Sequence, residues 1–126
     1  MITVLADGTF DPIHMGHVRY LHAAKALGDY MIVRVAPDSA IVAKGRVPFQ
    51  THQERMHLIS ALQAGYVCGT PTLAEAIEKF KPRYLVKGKD WQGKLPQDVI
   101  EACASVGADI VYTDTQARTS SERLAG

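Results

Sequence analysis

Residues 2–36 read ITVLADGTFDPIHMGHVRYLHAAKALGDYMIVRVA, and this stretch decides the fold. Ile2 to Ala6 and Tyr30 to Ala36 are short runs rich in β-branched side chains, the composition of buried strands. Between them, over Gly16 to Leu27, Val18, Leu21 and Ala24 recur at helical spacing, so the whole stretch reads as a β-α-β unit. Gly28 stands just past that helix, where left-handed backbone costs glycine little, and is expected to end it.

The same alternation continues outward. Asp38 to Gln50 reads as a loop. Thr51 with Glu54 has capping-box spacing and predicts a helix from about His52 to Ala64 and Gly65. Thr72 with Glu75 repeats the signal ahead of Leu73, Ile77 and Phe80, and Pro82 closes that helix before a strand at Tyr84 to Lys87. Pro96 opens a helix that runs through Val106 to Gly107, Ala108 to Tyr112 reads as another strand, and Thr119 to Ser121 can cap a last short helix. Strands that alternate with helices and read as continuous apolar runs belong to a parallel sheet covered on both faces. The expected class is α/β, with one domain over residues 1–126.

Composition narrows the function. Of the 126 residues, 47% are hydrophobic and 21% charged, which excludes disordered, collagen-like and coiled-coil chains. Fourteen Lys and Arg against 13 Asp and Glu give a net charge of +1, too balanced for a protein that holds nucleic acid by its phosphates. No apolar run approaches the roughly 20 residues that span a bilayer, and no charged leader with a cleavage site precedes Ile2, so a cytoplasmic protein without membrane contact is expected. Cys68 and Cys103 have no metal-ligand spacing and are expected to be buried, inert thiols.

In open parallel sheets ligands bind beyond the carboxyl ends of the strands, where the strand order changes direction. The segment Gly8-Thr9-Phe10-Asp11-Pro12-Ile13-His14-Met15-Gly16-His17 leaves a strand there and enters a helix, with two imidazoles three positions apart on one helical face. Backbone N–H groups at a helix start, with glycines permitting close approach, make an anion site, and imidazoles can add donors to phosphate oxygens. A nucleoside triphosphate fits such a loop. An alternative reading makes Asp7, Asp11, His14 and His17 the ligands of a metal-dependent hydrolase. A nucleotide sensor without turnover is a third. Gly88 to Lys94 satisfies GxxxxGK, but Leu95 stands where a Walker loop needs Ser or Thr for Mg²⁺, so a P-loop is rejected.

The run GTFDPIHMGH resembles the GxFDxxHxGH signature of the cytidylyltransferase-like nucleotidyltransferases, a family that includes glycerol-3-phosphate cytidylyltransferase and the adenylyltransferase domain of ADP-heptose synthase. Further landmarks follow in the family's order: Lys44 after the second strand, Glu54-Arg55 in the next helix, Val86-Lys87-Gly88-Lys89-Asp90-Trp91, and the hydroxyl triplet Thr119-Ser120-Ser121. The resemblance implies a Rossmann-like three-layer α/β/α fold with a five-stranded parallel sheet, and a homodimer. It implies that an acceptor phosphate attacks the α-phosphorus of a nucleoside triphosphate in line and expels pyrophosphate. Carried over by position, His14, His17 and Lys44 are the catalytic residues. Gly8, Thr9, Phe10, Asp11, Gly16, Lys87, Gly88, Asp90, Trp91, Thr119, Ser120 and Ser121 face the nucleotide, and Asp11, Lys44, Arg55 and Arg118 face the acceptor. Mg²⁺ is implied as the triphosphate counterion, with phosphate oxygens and water supplying most of its ligands and Asp11 a candidate for one more.

The base stays open between CTP and ATP. Trp91-Gln92-Gly93-Lys94 is similar to the WxGK of the glycerol-3-phosphate enzymes, which places CTP first, whereas Leu85-Val86-Lys87-Gly88 is similar to the LVKG of the heptose enzymes and their ATP. The acceptor is correspondingly glycerol 3-phosphate or a sugar 1-phosphate such as heptose 1-phosphate. Because His17 would stabilise the transition state, His17→Ala is expected to lower turnover by on the order of 10² or more with the fold intact. Steady-state pyrophosphate release checks this, and near-normal activity would remove His17 from that role.

Overall fold

The computed structural model describes residues 1–113. Among them, five parallel strands form one sheet: β1 Thr3–Gly8, β2 Tyr30–Val35, β3 Tyr66–Cys68, β4 Tyr84–Gly88 and β5 Asp109–Thr113. Their order is β3-β2-β1-β4-β5, so the chain moves one way from β1 to β3 and then crosses to the other side of β1. Helices α1 (Met15–Lys25) and α3 (His52–Ala61) cover one face, and α4 (Leu73–Phe80) and α5 (Gln97–Val106) cover the other. This is the expected three-layer α/β/α fold. None of the described helices is long and apolar enough to cross a membrane.

The layers follow from the period of two along each strand. Val4, Ala6, Val33, Val35 and Val86 face α1 and α3, where they pack with Leu21, Ala24 and Ile59. Leu5, Ile32 and Leu85 face α4 and α5 and pack with Ile77, Val99 and Cys103. Cys68 and Cys103 are both buried in this second layer, as expected of structural thiols, and burial pushes both thiol pKa values up.

Several local expectations hold and others are corrected. Thr51 and Glu54 form the reciprocal capping box, Thr72 accepts from the Glu75 N–H, and Gly107 ends α5 in left-handed backbone at φ 73°. The segment expected to be a loop contains α2 (Asp38–Val42), whose buried Ile41 anchors one turn too short to show a helical period. Strand β3 is likewise only three residues, an edge strand paired with β2 alone, and carries no alternation to read. The second long helix ends at Ala61 instead of Ala64. Gly28 is not in left-handed backbone; it is needed because a β-carbon there would lie 2.6 Å from Val4 Cγ2 and 2.7 Å from the Ile2 carbonyl oxygen.

One side chain ties the strand-end loops together. Arg55 of α3 is 0% exposed. Its guanidinium donates to the carbonyls of Thr9 (2.8 Å), Ala36 (2.6 Å) and Gln50 (3.2 Å) and to Asp38 Oδ1 (2.6 Å). Asp11 lies beside it, 4.0 Å from Nε, and accepts the Phe49 and Gln50 N–H groups. The loops after β1 and β2 and the approach to α3 therefore share one fork. Replacing Arg55 by Met strands three carbonyls and a carboxylate, at a cost of about 3–5 kcal/mol. Urea unfolding should show that loss, and Arg55→Lys should recover only part of it because an ammonium lacks the planar fork.

Candidate active site

At the carboxyl ends of β1 and β4 the ladder opens. The Tyr20 hydroxyl of α1 sits between the two strands, accepting the Asp7 N–H (2.9 Å) and donating to the Val86 carbonyl. Each backbone group there is satisfied by the phenol instead of by the neighbouring strand, so the strands separate without leaving a polar orphan. Burial pushes the Tyr20 pKa far up, which keeps the hydroxyl protonated and donating. The resulting cleft, about 420 Å³, lies at the switch point of the sheet. Gly8, Thr9, His17, Lys44, Lys87, Gly88 and Trp91 line it, which brings together residues foreseen in three separate loops.

The two histidines are set by the start of α1. His14 is the N-cap, with its Nδ1 accepting the Gly16 N–H at 3.0 Å, while His17 Nδ1 accepts the His14 N–H at 3.2 Å. The rings stack with centroids 3.9 Å apart. An Nδ1 that accepts carries no proton, so in the neutral rings the proton sits on Nε2, leaving each imidazole a single N–H donor. Burial, and then the neighbouring His14, lower the His17 pKa to about 4. His17 is thus a neutral donor at pH 7. Phe10 supports it edge-on at 5.1 Å, and the Phe10 ring also explains Gly8: a β-carbon there would stand 3.0 Å from Phe10 Cζ.

Across the cleft, the period of two that buries Leu5, Ile32 and Leu85 places Asp7, Arg34 and Lys87 on the same face one step later. Asp7 bonds Arg34 Nη1 and Lys87 Nζ, each at 2.9 Å. Arg34 also donates to the carbonyls of Thr70 and Pro71. Burial alone would raise the Asp7 pKa, but Lys87 and then Arg34 outweigh it and hold the carboxyl below its ordinary value. Lys87 and Lys44 approach the same Trp91 ring, 4.5 and 5.7 Å from its centroid.

Some expected roles are corrected. Arg55 cannot hold an acceptor, because it is fully buried and its guanidinium is committed to backbone carbonyls and Asp38. Asp11 is buried too, and its carboxylate is taken by the Phe49 and Gln50 N–H groups, so it reaches neither nucleotide, acceptor nor metal. The ring of Phe10 is in the core, leaving only its backbone for a ligand. Gly16 is buried within α1, and Asp90 is exposed in the turn after β4, outside the cleft lining. Arg118, Thr119, Ser120 and Ser121 lie outside the described residues. The metal-hydrolase constellation does not form: both aspartates are engaged elsewhere, and among the described residues no group of three His, Cys, Asp or Glu could share an ion. Tyr20 and Arg34 were missed; a charge at the last inward position of an apolar strand, as in YMIVRVA, was the available signal for Arg34.

Comparison with known proteins agrees with this geometry. Residues 5–124 match the family described as cytidylyltransferase-like. The chain belongs to that family. It is 36% identical over 124 residues to the bifunctional protein HldE of Trichlorobacter lovleyi, covering 93% of this chain and 25% of that protein. To the FAD synthase of Ferroglobus placidus it is 38% identical over 93 residues, covering 71% of this chain and 60% of that enzyme. The chain thus spans about a quarter of the HldE relative's length. The crystal structure of the lipopolysaccharide core biosynthesis protein from Thermoplasma volcanium superimposes with a TM-score of 0.75 at 30% identity, covering 90% of this chain and 97% of that one. The cytidylyltransferase-like family is therefore shown for nearly the whole length, including the loop that holds His14 and His17.

The lowered His17 pKa has a stability consequence. An unfolded imidazole titrates near 6.5 and the folded one near 4, so within that window the unfolded chain binds the extra proton. The contribution is full above pH 6.5 and is lost as pH falls towards 4. Urea unfolding from pH 7 to pH 4 should therefore show a steeper decline for the native chain than for His17→Asn, and parallel curves would contradict the burial of a neutral imidazole.

Proposed function

We propose that the protein transfers a nucleoside monophosphate from a nucleoside triphosphate to a small phosphorylated acceptor, releasing pyrophosphate. The observation that carries this is the mutual capping of His14 and His17. It commits both Nδ1 atoms to the α1 start and leaves Nε2–H as the only donor of each ring; His17 is the one of the two that lines the cleft, and His14 is exposed beside it. An acceptor phosphate oxygen attacks the α-phosphorus, the bond from that phosphorus to the bridging oxygen breaks, and pyrophosphate departs with the electron pair. Such a reaction asks the protein to align the groups and to neutralise charge moving onto the leaving group. His17 donates to the phosphate oxygens as a neutral group and needs no proton change through the step. Lys44, exposed on the loop after α2, supplies a mobile positive charge at the cleft mouth. Mg²⁺ would accompany the triphosphate, held by phosphate oxygens and water, which fits a cleft in which Asp7 is already bonded to Arg34 and Lys87. A cytoplasmic site of action would suit a nucleoside triphosphate substrate.

The relatives move the base from CTP towards ATP. FAD synthase is named for a product that joins a flavin phosphate to an adenylyl group, and this chain is 38% identical to one over 93 residues. CTP remains the second reading through Trp91-Gln92-Gly93-Lys94. A ligand that binds only the native state raises stability by RT ln(1 + [L]/Kd), so melting temperature reports the base without knowledge of the acceptor. ATP·Mg²⁺ is expected to give the larger shift at equal concentration. A larger shift with CTP·Mg²⁺ would restore the cytidylyl reading, and no shift with either would overturn the triphosphate site.

A further inference from the structure

The sheet parts only at its centre. Strand β1 keeps its register with β2 to its end, through Gly8 opposite Val35, and β4 keeps its register with β5 through Gly88 opposite Thr113. Between β1 and β4 the register stops two residues earlier, at Ala6 opposite Val86. The fork between these strands is where the Tyr20 hydroxyl enters, accepting the Asp7 N–H and donating to the Val86 carbonyl. Beyond it, Asp7-Gly8 and Lys87-Gly88 diverge as the two walls of the cleft. A phenol suits this place because one oxygen both accepts and donates, and because its ring spans the distance from a helix to the sheet. Tyr20 is 1% exposed, with its ring packed in the α1 layer.

The same side chain locates the helix. Tyr20 stands three residues after His17, so the two share one face of α1, and both line the cleft. Apolar packing of a helix on a sheet is non-directional, whereas a hydrogen bond to fixed backbone groups selects one position. We propose that Tyr20 is a positioning residue for nucleotidyl transfer: its hydroxyl, seated in the fork of β1 and β4, fixes both the opening between Gly8 and Gly88 and the place of His17 beside it. This rests on the nucleotidyl-transfer reading and adds to it a residue that acts through His17 and the strand ends. Removing the hydroxyl leaves the Asp7 N–H and the Val86 carbonyl to pair with each other or with water. Pairing with each other draws the cleft walls together, and in either case α1 loses its tie to the two strands.

Tyr20→Phe, which keeps the ring, is the test variant, studied well below its melting temperature with ATP·Mg²⁺ as the probe. Its Kd for ATP·Mg²⁺, measured by calorimetry, is expected to rise tenfold or more. The His17 imidazole, followed by NMR through its carbon-bound ring protons, is expected to titrate above its wild-type value of about 4, because a ring no longer held in place meets more water. Loss of stability alone moves neither quantity. Ile77→Val, in the α4/α5 layer, is the control: it also lowers the melting temperature and is expected to keep the wild-type Kd and the wild-type His17 titration. A wild-type Kd in Tyr20→Phe, or a wild-type His17 titration, overturns the proposal and leaves Tyr20 a core residue whose hydroxyl water can replace. If Tyr20→Phe does not fold, amide hydrogen exchange of the wild type decides. Saturating ATP·Mg²⁺ is expected to slow exchange of the Asp7 amide by a larger factor than that of the Ile77 amide, and equal factors overturn the coupling. Failure of the nucleotidyl-transfer reading has a different signature: no melting shift with ATP·Mg²⁺ or CTP·Mg²⁺ in the wild type, whatever Tyr20→Phe does to His17.

Discussion

A buried guanidinium holds the active end of this protein in shape. Arg55 gathers the carbonyls of Thr9, Ala36 and Gln50 and the Asp38 carboxylate, which belong to loops leaving β1 and β2 and entering α3. Loops at strand ends carry backbone groups that no ladder satisfies, and one planar fork with several donors can satisfy a set of them where separate side chains could not. Asp11 completes the arrangement by taking the N–H groups of Phe49 and Gln50. These residues therefore shape the cleft at one remove: they hold the loops that carry Thr9 and Lys44.

The cleft itself exists because the sheet opens where its order reverses. Tyr20 replaces the missing rung between β1 and β4, and it lies one helical turn after His17 on α1. The helix that supplies the cleft-lining imidazole of His17 also keeps the strands apart. On the other face, the period that builds the core ends in Asp7, Arg34 and Lys87, so apolar packing passes into charge within one strand step. Hydrophobic burial and the charge that lines the cleft are thus successive positions on one face of the same three strands.

Much of the fold was legible. The β-α-β unit of residues 2–36, the Thr51–Glu54 and Thr72–Glu75 caps and the Gly107 stop all appear where local chemistry puts them, because capping and periodicity act within a few residues. Strand β3 and helix α2 were not legible, being too short for a period and stabilised by pairing with β2 and by burial of Ile41. In the site, the GTFDPIHMGH loop announced His14 and His17, but their tautomer depended on which backbone N–H each Nδ1 meets. Arg55 and Asp11 looked like ligand contacts because charge in a motif reads as function; burial turned both into supports for the loops.

What the sequence determined by itself is therefore local: the α/β alternation, the helix ends, and a phosphate-type loop between a strand and a helix with two imidazoles on one face. Family membership follows from the same residues. Only the tertiary structure decided which charges face a ligand and which are consumed inside, because that depends on partners far apart in the chain. Lys87 meets Asp7 across 80 positions and Tyr20 meets Val86 across 66. A pattern confined to a window of a few residues carries no record of those meetings, and the parallel sheet, which sets distant strand ends side by side, creates them.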